Sequence, residues 1–189
     1  MSVSVATALL VVDVQESFRH RPYYDDADVP SYLAAQNALV RGAGAIGLPI
    51  VRVFHVEDAG PFSHASGLVR PLAGLDPFDA ALTIEKHRHS AFAGTRLGGW
   101  LEARGVRRVI VSGIRTEQCC ETTTRWASDT GFEVDFVTEA TLTFPMRHAG
   151  GRAYSTAEIR ERTELVLADR FATICTVKEA IARATPAAA

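Results

Sequence analysis

Short apolar runs rich in β-branched residues alternate along this chain with stretches of helical spacing, and that alternation predicts an α/β fold built on a parallel sheet covered on both faces. Two further observations favour it. Most of the runs are apolar throughout rather than at every second residue, as strands are when neither sheet face meets water. The composition, 47% hydrophobic and 22% charged over 189 residues, suits one globular domain spanning 1–189, with its core over about 6–183.

In chain order, ATALLVV predicts the first strand at 6–12, and Asp13 closes it. A helix follows at 31–46. Its end, Gly42 to Gly47, fits the spacing G-x-G-x-x-G, but a dinucleotide-binding loop follows a strand and opens a helix, whereas this one ends a helix and precedes a strand. It is read as a helix terminus and turn, with no NAD site. The run PIVRVFH predicts the second strand at 49–55, and residues 57–79, interrupted by Pro61, Pro71, Pro77 and several glycines, read as a long irregular segment of the kind that walls a pocket. The third strand is placed at 81–85, a helix at 95–104, and the fourth strand at 107–112, where VIV is flanked by arginines and Ser-Gly. A helix at 117–130, a strand at 133–138, a helix at 155–169, a strand at 172–176 and a helix at 177–183 complete the alternation. The final PAAA is expected to be disordered.

The charge pattern narrows the partners. The formal net charge is -2 and the Lys and Arg residues are scattered, which argues against nucleic acid and against an anionic membrane surface. The first fifteen residues lack a basic start and their apolar run is too short to span a bilayer, so neither a signal peptide nor a membrane helix is expected. Three cysteines, two of them adjacent, do not form a disulfide framework, and the cytoplasm is the expected compartment.

In open parallel sheets ligands bind beyond the carboxyl ends of the strands. That rule selects Asp13 and Gln15 after the first strand, His55 after the second, Lys86 after the third and the turn from Arg115 to Cys120 after the fourth. The turn places Cys119 and Cys120 in the first turn of the expected helix, where unpaired N–H groups and the helix dipole favour a thiolate. Each residue alone has a plain alternative: Asp13 as a capping residue, Lys86 as a solvated lysine, a cysteine as a small core hydrophobe. Together they supply a base, a cation to hold it charged and a nucleophile. Phe18, Phe92, Trp126 and Phe144 are expected mainly in the core, with Phe18 and Phe92 also walling the pocket. Gln15 is assigned a pocket hydrogen bond, Thr116 the helix N-cap, and Cys175 an inert core position.

The segments VVDVQESF, EKHRHSAFAGTRL and GIRTEQCCETTTRWASDTGFEV resemble those of the isochorismatase-like cysteine hydrolases, which include nicotinamidases, N-carbamoylsarcosine amidohydrolases and biuret hydrolases. The resemblance implies a three-layer α/β/α sandwich, Rossmann-like, with six parallel strands in the order 3-2-1-4-5-6. It implies Asp13, Lys86 and Cys119 as the catalytic residues, with Cys120 standing where most relatives have valine. It further implies a cis peptide at Ile114–Arg115 and an oxyanion hole made by the N–H groups of Arg115 and Cys119. The activity implied is hydrolysis of a small amide or other C–N bond through a thioester, with no cofactor, in a homo-oligomer, a dimer or tetramer.

Two departures qualify this. The stretch RVFHVEDAGPFSHASG lacks the Asp-x-His spacing of metal-binding nicotinamidases, so no metal is expected and nicotinamide is demoted; His55, Glu57, Asp58 and His64 have two readings, ligands to some bound group or, favoured, residues of a solvated loop. Relatives that cleave the vinyl ether of isochorismate lack the nucleophilic cysteine, so Cys119 argues against that chemistry. Arg115 has two readings, a partner for an acidic substrate group or a structural contact. A rival function is a thiol redox or binding protein using Cys119 and Cys120.

Overall fold

The computed structural model describes residues 6–185; the PAAA end lies outside the described residues. Six strands form a parallel sheet: β1 (Thr7–Val12), β2 (Ile50–His55), β3 (Leu82–Lys86), β4 (Arg108–Ile114), β5 (Glu133–Leu142) and, at the far edge, β8 (Thr173–Ile174), in the order β3-β2-β1-β4-β5-β8. Two short strands, β6 (Met146–Arg147) and β7 (Ala153–Tyr154), form a separate antiparallel hairpin that no sequence signal anticipates. The expected sixth strand is therefore the eighth, with its place in the sheet unchanged. No helix among the described residues is long and apolar enough to cross a membrane.

Every residue of β1 is buried, and the alternation of its side chains shows why it is apolar throughout. Ala8, Leu10 and Val12 join one core cluster, which includes residues of α2 (Leu97–Glu102) and α3 (Glu121–Asp129). Leu9 and Val11 join the other, packed with α1 (Val29–Ala45) and α5 (Val177–Ala184). The sheet is thus sandwiched between two apolar layers, each fed by alternate residues of the same strands.

Local chemistry accounts for most helix boundaries. A proline in its first turn opens α1. At its end Gly47 takes φ +72 and its N–H reaches Gly44 O while that of Leu48 reaches Ala43 O, a helix-terminating turn that needs a left-handed residue. The Gly-rich stretch is a helix terminus, as expected. Both α4 (Thr156–Leu167) and α5 begin with capping boxes, Ser155 with Glu158 and Thr176 with Glu179. The expected helix at 117–130 is two elements, a single π-helical turn over Thr116–Cys120 followed by α3. Trp126 on α3 is 45% exposed, not core; its helix turns it outward while Thr123, Thr124 and Ala127 face inward.

Candidate active site

Close packing of two strand ends creates the site. At the end of β1, Val12 pairs with Gly113 of β4, where φ is +127 and a Cβ, were one present, would fall 1.9 Å from Val12 O. Only glycine permits this approach, which sets Asp13 beside the turn that carries Cys119. Asp13 itself adopts φ 54, a left-handed conformation that Asp tolerates better than most residues. The Ile114–Arg115 peptide bond is cis.

Lys86, the last residue of β3 and completely enclosed, joins the parts. Its Nζ lies 2.8 Å from Asp13 Oδ2, donates to Cys119 Sγ at 3.4 Å and to Arg88 O at 3.1 Å, and lies 3.2 Å from His55 Nδ1. His55 is the neighbour of Lys86 across the β2–β3 ladder. Burial and the adjacent Lys86 charge push the His55 pKa down to about 4, so the imidazole is neutral near pH 7. With Nδ1 accepting from Lys86, the proton sits on Nε2, which faces Glu57 Oε1 at 3.5 Å.

The electrostatics correct one expectation. Burial, reinforced by the Asp13 charge, pushes the Cys119 thiol well above its ordinary pKa, and Lys86 offsets only part of this. The resting site therefore holds a thiol, not a thiolate. Cys119 belongs to a buried π-helical turn beside a carboxylate rather than to the exposed first turn of an α-helix, and desolvation outweighs the helix-end effect. Burial alone would lower Lys86, but the Asp13 and Cys119 partners raise it, so the ammonium stays charged.

The other assigned residues divide. Phe18 and Arg115 line the crevice around Cys119, together with Arg21, Tyr23, Phe62 and Gln118; the cavity is about 250 Å³. Gln15 does not face it. Its amide is spent on the backbone of His55, accepting from the His55 N–H at 2.8 Å and donating to its carbonyl at 3.1 Å, so it positions His55 rather than walling the pocket. Phe92 packs against Phe132, with ring centroids 5.8 Å apart, in the core beneath the site and does not line the crevice. Thr116 is not an N-cap, because its hydroxyl donates to Thr141 Oγ1 at 2.8 Å. Cys120 is 0% exposed and burial raises its pKa well above the usual value. Cys175, also buried, is pushed up to about 11, chiefly by desolvation.

Of the acidic and histidine loop residues, His64 pairs with Glu85 at the surface and Asp58 is exposed. Among the described residues no group of three or more His, Cys, Asp or Glu is placed to hold a metal ion. A larger cavity of about 670 Å³, between the β6–β7 hairpin and α4, shares Gln118 with the crevice but contains none of Asp13, Lys86 and Cys119. Asp13 and Cys119 line the smaller one.

The comparisons with known proteins agree with this architecture. The family model Isochorismatase, the isochorismatase domain, matches residues 7–179. The chain is 54% identical over 61 residues to nicotinamidase 3 of Arabidopsis thaliana, covering 32% of this chain and 31% of that protein. It is 29% identical over 166 residues to the ureidoacrylate amidohydrolase RutB of Stutzerimonas stutzeri, covering 69% of this chain and 65% of that one. A solved isochorismatase-type structure from Burkholderia xenovorans LB400 superposes with a TM-score of 0.87 at 32% identity, over 98% of this chain and 92% of that chain.

Proposed function

The chain belongs to the isochorismatase domain family, and from that premise we propose that it hydrolyses a small amide or related C–N bond by covalent catalysis at Cys119. The observation that carries the reading is the Lys86 ammonium, enclosed between Asp13 at 2.8 Å and Cys119 at 3.4 Å. Asp13 takes the proton from the Cys119 thiol, and the sulfur attacks the substrate carbonyl carbon as the carbonyl π electrons move to oxygen. The N–H groups of Arg115 and Cys119 hold that oxyanion. When the oxyanion collapses the C–N bond breaks, and Asp13 returns its proton to the leaving nitrogen. A thioester on Cys119 is left. Water then loses a proton to Asp13 and adds to the thioester carbonyl, the C–S bond breaks, and the sulfur regains the proton.

The raised thiol pKa fits a base-assisted nucleophile. A cysteine that keeps its proton at rest needs a carboxylate to remove it, and Asp13 is the carboxylate next to it. Lys86, in contact with both, stabilises negative charge on either partner as the proton moves. The related amidohydrolases, nicotinamidase 3 and RutB, support the bond type. The complete burial of Cys120 weighs against the rival redox reading, which needs two reachable thiols.

Ammonia release from a panel of small amides tests the proposal. The wild-type protein is expected to release it from at least one member, and Cys119→Ala from none. Turnover surviving in Cys119→Ala sinks the assignment.

A further inference from the structure

Beyond the reacting groups, two arginines line the crevice. Arg21 follows the short helical turn Glu16–His20 and Arg115 opens the turn that holds Cys119. Both lie over the ring of Tyr23, with Cζ 5.7 Å and 4.7 Å from its centroid. Their charge balance differs. Arg115, 6% exposed, is paired with Glu117 at 2.8 Å. Arg21 rests on the faces of Tyr23 and Phe62 and has no carboxylate partner among the described residues. The Nε atoms of both arginines are buried without a hydrogen-bond partner.

Neither acid that lines the same crevice is paired with Arg21: Asp13 meets Lys86, and Glu57, at the half-exposed rim, faces the neutral His55 ring. A buried donor left without an acceptor is costly, and a guanidinium lying over aromatic rings keeps its planar fork of N–H donors, which suits a carboxylate. The crevice volume of about 250 Å³ lies below the ~300–1,000 Å³ usual for drug-sized ligands, so the occupant is small.

We propose that Arg21, backed by Arg115, forms a carboxylate-binding subsite, and that the substrate is a small amide carrying an acidic group remote from its scissile carbonyl. The proposal rests on the amide-hydrolase reading above and extends it to the substrate class. Tyr23 and Phe62 hold the fork of Arg21 in place, and Arg115, its charge offset by Glu117, adds hydrogen-bond donors without adding net charge.

Binding and turnover test the two readings separately. In the Cys119→Ser protein, calorimetry compares succinamate with 4-oxopentanamide, a neutral isostere in which a methyl group replaces the carboxylate O⁻. Succinamate is expected to bind at least about tenfold more tightly, and Arg21→Gln in the same background is expected to bring the ratio to within about twofold. No preference, no binding of either amide, or a preference untouched by Arg21→Gln overturns the subsite. Ammonia release by the wild-type protein is read on the same pair. Preferential binding of succinamate with no ammonia from either amide upholds the subsite and counts against the hydrolase reading. Release from both with equal kcat/KM overturns the subsite and leaves the hydrolase reading standing.

Discussion

Lys86 has no exposed side-chain surface, and its Nζ touches a carboxylate, a thiol, an imidazole nitrogen and a backbone carbonyl. Removing it leaves Asp13 as a buried charge without a partner. Lys86→Met is therefore expected to cost about 3 to 5 kcal/mol of stability, read by urea denaturation, and to abolish hydrolysis. Adding Asp13→Asn to Lys86→Met should restore most of the stability and none of the activity; activity in the double variant would show that the pair is structural only. The two adjacent thiols separate in the same way. Cys120 packs in the core, so Cys120→Ala should lose about 1 kcal/mol of stability and keep turnover that Cys119→Ala lacks. His55 carries a pH dependence. Its pKa falls from 6.5 to about 4 on folding, so between those values the unfolded chain binds more protons than the native one. The contribution is full above about pH 6.5 and is lost as the pH falls toward 4. Urea midpoints at pH 5 and pH 7 should thus differ more for the wild type than for His55→Gln, and equal differences would contradict the assignment.

At the scale of elements, the approach of β4 to β1 decides whether the site forms. Gly113→Ala places a Cβ against Val12 O at a backbone angle that L side chains avoid, and a loss of roughly 4 kcal/mol or failure to fold is expected. Ser155→Ala, which removes the capping box of α4, should cost only about 1 kcal/mol and leave turnover intact, a control for general destabilisation measured on the same samples. The strands and long helices are legible because continuous apolar runs and cap residues such as Ser155 and Thr176 are local signals. Where legibility stops short, the cause lies outside the segment. The register irregularity between Val111 and Gly113 carries β5 on to Leu142, past its expected end at residue 138. Whether residues 116–120 wind as a π-helical or an α-helical turn depends on packing that the local sequence does not encode. The same change of winding removes Thr116 from the cap and Cys119 from an exposed helix end.

For the whole molecule, the strand-end rule locates Asp13, Lys86 and Cys119, and the structure brings them to one point. The walls are less legible. Arg21, Tyr23 and Phe62 come from irregular segments on either side of β2, and no periodicity links residues that meet only after the sheet has formed; the single available hint is the order of strands, which places both segments above β1. Gln15 departs from its expected pocket role for a related reason, since only the folded sheet shows that its amide fits the backbone of His55 across 40 positions of sequence. In the proposed reaction Cys119 carries the acyl group during amide hydrolysis. Intact-mass and peptide-map spectrometry of acid-quenched turnover tests it most directly. An acyl adduct is expected on Cys119, not on Cys120, and it disappears as substrate is exhausted. Turnover that proceeds with no adduct at Cys119, and persists in Cys119→Ala, would contradict it.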